Sequence, residues 1–398
     1  MEGYAFPFIS GDSHLETHPR HWVDRVPAQH RDRAPRVVRL ADGTDAWLVE
    51  GTPIRRISWG DLYGGKGRQQ FGRTEAMTYD NTPGTGSPEQ RIREQDEDGI
   101  AAEILFPGQQ TGPRLWRSIA DDEAYISIIQ AWNSWLAEDY CSTDPKRLIG
   151  LGVLPWAGVE PAIAEMERCA KLGLKAVVLG VFPSAKSHPT PEDDKFWAAA
   201  VDMKMPVAVH VEFDRNGPRK GPLFKYPKTP GPNEEGRPLV DHVSNPKFAM
   251  VGAVNAVQLL FAGVFDRFPS LRLFFAETQI GWLPHFMEQA DELYEWHRHE
   301  GERALGMKQL DRRPSDYVRE HCYWGFQYNP VGVQMRSHIG VDKLIWATDF
   351  PHMGSEFPNT RTKVIERNFG SVPDADVHRM VCGNVCDFFG LDEELYRG

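Results

Sequence analysis

Residues Leu148–Val211 read LIGLGVLPWAGVEPAIAEMERCAKLGLKAVVLGVFPSAKSHPTPEDDKFWAAAVDMKMPVAVHV. Three runs within it, Leu148–Leu154, Lys175–Val181 and Pro206–Val211, are apolar without polar alternation, the pattern of parallel strands buried on both faces. The segments between them, Val159–Leu172 and Pro191–Lys204, carry helical spacing. The second opens on Thr190-Pro191-Glu192, with proline at an early helical position. Strand, helix, strand, helix, strand is the repeating unit of a parallel α/β sheet.

The same alternation extends in both directions. Further strands are expected at Phe8–Asp12, Ala102–Phe106, Leu271–Glu277, Cys322–Phe326 and Lys343–Thr348. Further helices are expected at Pro88–Asp98, Asp121–Ser142, Pro246–Arg267, Gly281–Glu300 and Pro330–Ile339. Asp121-Asp122-Glu123 places negative charge in a first helical turn, where the helix dipole favours it. Eight strands with helices between them predict an α/β fold of the (β/α)8 TIM-type barrel class, spanning residues 1–398 as one domain. A doubly wound sheet is the competitor, but no Gly-rich phosphate loop follows the first strand.

Two stretches break the rhythm. Residues 37–87 carry Gly43, Gly51, Gly60, Gly64-Gly65 and Gly86 with short β-like pieces such as Ala46–Val49, and read as an insertion after strand one. Residues 214–246, with Pro218, Pro222, Pro227, Pro230 and Pro232 before Pro246, read as a long loop after strand five. In a barrel such a loop lies on the C-terminal face, where active sites are built.

Composition narrows the function. The 398 residues are 41% hydrophobic and 25% charged, enough apolar matter for a sizeable core. A net charge of −11 argues against nucleic acid or an anionic membrane as partner. No apolar run approaches the roughly 18 residues of a membrane span. Met1–Ser10 has no basic stretch leading into a long apolar one, so no secretory signal is expected and the location is read as cytoplasmic. The five cysteines, Cys141, Cys169, Cys322, Cys382 and Cys386, form neither a disulfide framework nor a zinc ribbon. Cys382 and Cys386, four apart in a helix, read as small apolar residues near a core.

The chemistry concentrates at strand ends. Strand one runs into Asp12-Ser13-His14-Leu15-Glu16, and in an extended chain Asp12, His14 and Glu16 share one face. Strand five ends in Val209-His210-Val211-Glu212, strand six in Ala276-Glu277, and strand eight in Thr348-Asp349-Phe350-Pro351-His352. Four strands each delivering His or acid to one barrel mouth is what a divalent metal site requires. His18, His21, His30, His297, His299 and His378 follow no such pattern and are expected at the surface.

Asp12-Ser13-His14-Leu15-Glu16 resembles the first-strand motif of the amidohydrolase superfamily, and more closely its amidohydrolase-related branch of carboxymuconate-semialdehyde and hydroxybenzoate decarboxylases. Gln95-Asp96-Glu97-Asp98-Gly99-Ile100, Arg147-Leu148-Ile149-Gly150, Val207-Ala208-Val209-His210, Phe275-Ala276-Glu277, Gly281-Trp282-Leu283-Pro284, Trp346 to His352 and Gly383-Asn384-Val385 agree with that branch in order. The resemblance implies a metal held by His14, Glu16, His210 and Asp349. Relatives often have His-x-His first and His on strand six, where this chain offers His14-x-Glu16 and Glu277. Both departures make the site more anionic, which suits Mn or Fe relatively better than an all-His pocket. Extra carboxylates can also bridge two ions, with His242 of the long loop as a further ligand, so one or two ions of Zn, Mn or Fe are expected.

Three functions follow. The first is a metal-dependent decarboxylase or hydrolase of a small organic acid. There Asp349 or His352 protonates the carbon that loses CO2, or Asp349 manages the proton of an attacking water. The second is a non-haem dinuclear iron, or Fe/Mn, oxygenase hydroxylating a small molecule. The third is a non-catalytic partner subunit of an active paralogue. A carboxylate substrate would use an arginine clamp, for which Arg215 and Arg219 are candidates, and Trp282, Trp324, Phe326 and Tyr328 are candidate pocket walls. Homo- or hetero-oligomerisation is expected to cover the insertions.

Overall fold

The computed structural model describes residues 4–51, 54–57, 78–79, 82–108, 112, 116–180, 182–210, 246–352 and 354–397. His242, Arg215, Arg219 and the loop 214–245 lie outside them. The strands in chain order are β1 (Ile9–Leu15), β2 (Arg36–Arg39), β3 (Asp45–Leu48), β4 (Arg55–Arg56), β5 (Ala102–Pro107), β6 (Leu148–Val153), β7 (Ala176–Leu179), β8 (Val207–Val209), β9 (Leu273–Phe275), β10 (Cys322–Phe326) and β11 (Leu344–Trp346). Eight of them form one sheet in the order β1-β5-β6-β7-β8-β9-β10-β11, and every pairing in it is parallel. Helices lie between successive strands, so the chain is a (β/α)8 barrel. The eight strands fall on the expected runs; β1 reaches three residues further, to Leu15, β5 one further, to Pro107, Cys322–Phe326 is unchanged, and the other five are shorter.

The expected helices are present, with Pro88–Asp98 at its predicted bounds. The run from Asp121 stays α-helical only to Trp135, then passes through a wider turn, Leu136–Tyr140, and a tight one, Cys141–Thr143. Asp121 caps this helix by accepting from the Ala124 N–H at 2.8 Å. A helix at Pro314–His321 escaped the sequence reading because only Tyr317 and Val318 supply its apolar face. The insertion after β1 contains the three-stranded antiparallel sheet β2-β3-β4, with Trp47 buried. No helix among the described residues is long and apolar enough to cross a membrane.

The seam between β1 and β11 carries polar links instead of an apolar ladder. The Thr348 N–H donates to Ser10 Oγ at 2.9 Å, the Asp349 N–H to the Asp12 carbonyl at 3.0 Å, and the His14 N–H to the Phe350 carbonyl at 2.7 Å. Ser13 Oγ donates to Ser10 Oγ and lies 2.9 Å from Thr348 Oγ1. The strands meet so closely at Gly11 that a Cβ there would sit 2.1 Å from Ile345 Cγ2 and 3.3 Å from the Trp346 carbonyl. Glycine is required for that approach.

A second link ties the helix Pro88–Asp98 to the end of the chain. Asp98 Oδ1 accepts from the Thr360 N–H at 2.6 Å. Burial pushes the Asp98 carboxyl up to about 6 against these hydrogen bonds. The native state therefore keeps a proton that the unfolded chain gives up near 3.8. That contribution is fully present below the unfolded value and is lost as pH rises through about 6. Asp98→Asn, which keeps the acceptor, is expected to be more stable than the wild type at pH 7 by about 2–3 kcal/mol, with the advantage vanishing near pH 4. Urea denaturation of both proteins across that window measures the difference directly.

Candidate metal centre

β1 bulges between Ser10 and Ser13, where three steps along it oppose two along β5. Asp12 sits in that bulge and His14 beyond it, both fully buried. His210 directly follows β8, Glu277 follows β9 by two residues, and Asp349 follows β11 by three. Because all eight strands are parallel, these residues gather at one end of the sheet. Glu277 and Asp349 hold backbone φ of 57° and 56°, in the left-handed region that non-glycine residues seldom enter. Strain of that kind persists where the surroundings over-determine it, as they do at functional sites.

The side chains converge. His14 Nε2 lies 3.3 Å from Asp12 Oδ1 and 3.3 Å from Asp349 Oδ1. His210 Nε2 lies 3.7 Å from Asp12 Oδ2 and 3.5 Å from Glu277 Oε2. The two imidazoles stand perpendicular with centroids 5.1 Å apart, and Phe106 packs on both. Asp12, His14 and His210 form one group of mutually close ligand atoms, and His14, Asp349 and His352 form another.

Proton bookkeeping separates ligands from proton holders. His14 Nδ1 lies 2.9 Å from the Pro107 carbonyl, which can only accept, so Nδ1 carries the hydrogen and Nε2 presents a lone pair. Burial, with the charge of His352, lowers the His14 pKa and keeps the ring neutral. Its Nε2 and both oxygens of Asp12 are buried and make no hydrogen bond. Burial, then the charges of Asp349 and Glu277, push the Asp12 carboxyl well above the usual range. That penalty on the charged form of Asp12 is one that a cation among these atoms would relieve. The donor set fits a divalent ion, with Nδ1 of His14 anchored from behind by a carbonyl.

His352 has the opposite character. Its Nδ1 lies 2.9 Å from Asp349 Oδ1 and its Nε2 2.9 Å from Glu16 Oε1. Each ring nitrogen thus faces a carboxyl oxygen, and the doubly protonated ring donates to both and leaves no lone pair for a metal. Burial opposes the charged ring, but Asp349 and Glu16 outweigh it and raise its pKa well above the ordinary value. Burial likewise opposes ionisation of Asp349, yet the charge of His352 and the neighbouring His14 hold that carboxyl below its usual range.

The predicted residues thus fall into place unequally. His14, His210, Glu277 and Asp349 come together as ligand candidates. Glu16 lies one residue past the end of β1 and reaches the cluster through His352. Asp12 was visible on the shared face of β1 but absent from the ligand set the resemblance implied, and it takes the place next to His14. Arg91 carried no signal beyond standing four residues before Gln95 on one helix face. It is fully buried, donating to Glu103 at 2.6 and 3.1 Å, to the His14 carbonyl at 3.2 Å and to the Phe350 carbonyl at 3.1 Å. Trp324 stacks on Phe275 and meets Trp282 edge-on, and Phe326 is fully buried, so these two strand aromatics are packing. Tyr328 is exposed, under Arg367.

A family model described as Amidohydrolase matches residues 20–391, and the chain belongs to that family. It is 26% identical over 318 residues to the gamma-resorcylate decarboxylase of Polaromonas sp. (strain JS666), covering 76% of this chain and 87% of that one. It is 22% identical over 318 residues to the 2-amino-3-carboxymuconate-6-semialdehyde decarboxylase of Dictyostelium discoideum, covering 78% of each. Among solved structures, the dihydroxybenzoic acid decarboxylase of Polaromonas sp. JS666, with bound manganese and the inhibitor 2-nitroresorcinol, superposes with a TM-score of 0.60 at 20% identity, covering 98% of this chain and 99% of that one. The chain is an enzyme of the amidohydrolase superfamily.

Proposed function

We propose that the enzyme is a metal-dependent decarboxylase of a small aromatic acid. The observation that carries this is the convergence of His14 Nε2 on Asp12 and Asp349, with the proton-bearing Nδ1 of His352 on the same Asp349 oxygen. Relatives named as decarboxylases, and the manganese in a structural neighbour, support it.

Asp12, His14, His210 and Asp349, with Glu277 beside them, would hold the ion. When bound, the ion supplies positive charge that pairs with the substrate carboxylate and an adjacent oxygen. Without it a substrate carboxylate would face the ionised Asp349, with the His352 imidazolium already paired to that group. His352 stores the proton, and Asp349, sharing it, delivers it to the carbon bearing the carboxylate. The carbon–carboxyl bond then breaks, its electron pair restores the ring, and CO2 leaves. Glu16 holds His352 in register from the far side.

A dinuclear oxygenase is the second reading, favoured by three carboxylates, Asp12, Glu277 and Asp349, around two imidazoles. Metal removal tests the shared premise. Exhaustive chelation is expected to abolish CO2 release, Mn2+ to restore it, and Asp12→Asn to weaken metal affinity by at least about 100-fold. Full turnover after chelation, with metal content below a few per cent, would sink both readings.

A further inference from the structure

Away from these residues, the C-terminal helical run brings together a second set of ligand-capable side chains. His378, Cys382 and Cys386 recur every fourth residue along the segments Asp374–His378, Arg379–Gly383 and Asn384–Phe389. Residues four apart on an α-helix share a face, and although Arg379–Gly383 is wound wider than that, it keeps Cys382 beside His378. Gly390 ends the run in the left-handed conformation, with φ 64°, and turns the chain back. Glu393, at the start of the terminal turn Glu393–Tyr396, thereby returns against the helix, its Oε1 2.9 Å from His378 Nε2.

We propose that His378, Cys382, Cys386 and Glu393 form a second cation site, for a thiophilic ion of the zinc class, that clamps the C-terminal segment to the barrel. Ligand atoms of His378, Cys382 and Glu393 already lie within 4.8 Å of one another. A tetrahedral zinc with ordinary bond lengths needs ligand separations of about 3.3–3.8 Å, so side-chain rotations suffice. Cys386 completes a set of two sulfurs, one nitrogen and one oxygen. Its thiol, burial and the charge of Glu393 push the Cys382 thiol up, a crowding of donors that a cation relieves. Both cysteines are buried, whereas His378 and Glu393 keep 26% and 21% of their side chains exposed, which leaves an entry path.

The site is separate from the first. His378 packs edge-on against Phe6 at 5.1 Å, ahead of the start of β1, whereas the first cluster gathers at the other ends of the strands. Conserving that end of a barrel serves stability more than chemistry. Arg397 also donates to Glu393 Oε1 at 2.7 Å, and binding would exchange this ion pair and the His378 contact for metal bonds.

Cobalt discriminates the two sites, because neither ligand group of the first cluster contains sulfur. Full-length protein stripped with chelator and reloaded with Co2+ is expected to show the near-ultraviolet thiolate-to-cobalt charge-transfer band. Cys382→Ser, which leaves Cys386 as the one thiolate of the set, is expected to diminish it, and the partly exposed His378→Asn and Glu393→Gln to weaken cobalt affinity at this site by about tenfold or more. Asp12→Asn should leave the band intact, and the three C-terminal variants should leave CO2 release unchanged. Absence of the band in wild-type protein, or its full retention in both His378→Asn and Glu393→Gln, overturns the proposal whether or not Cys382→Ser folds.

Discussion

Asp349→Asn is expected to slow CO2 release by about 10²–10⁴-fold in kcat while the protein stays folded. The asparagine keeps the size and planarity of the side chain and tolerates the left-handed backbone better than most residues, so φ of 56° need not change. What disappears is the negative charge on the oxygen that the His352 Nδ1 proton rests on. His352 then keeps only Glu16, its pKa falls, and the proton is no longer offered from the metal side. A circular-dichroism melt beside the kinetics separates this from unfolding. An unchanged kcat would remove Asp349 from the chemistry.

Arg91→Met is expected to cost about 3–5 kcal/mol of folding stability, the largest single effect outside the proposed metal ligands. Arg91 is a positioning residue: one guanidinium neutralises Glu103 on β5 and holds the His14 and Phe350 carbonyls, fastening the two sides of the β1–β11 seam at one end. Its removal leaves Glu103 buried, with Gln95 as the remaining donor at 2.8 Å. Adding Glu103→Gln to Arg91→Met should recover part of the loss, because the uncompensated charge goes with it. Equal stability of single and double variants in urea titrations would mean that the pair is not the cause.

The barrel was legible because its strands are buried on both faces, which writes them as unbroken apolar runs such as Ala176–Leu179. The helix Pro314–His321 was not, since two apolar residues make too faint a period. At the site, His14, His210 and Asp349 were legible from their places at strand ends. Asp12 and Glu16 were harder to rank, because a period of two treats them alike. The bulge at Ser10–Ser13 and the end of β1 at Leu15 break that equivalence, sending Asp12 to His14 and Glu16 to His352. Arg91 was illegible because an arginine in a charged helix, PEQRIREQDED, reads as solvated until Glu103 and the two carbonyls are seen around it.

The most direct test is to incubate the Mn2+-loaded enzyme with a panel of hydroxybenzoic acids in deuterated water and follow CO2 and O2 together. The predicted result is one CO2 per acid consumed, no oxygen uptake, and one deuterium at the vacated ring carbon. Oxygen uptake matching substrate loss, or no CO2 from any member of the panel while the metal remains bound, would contradict the decarboxylase.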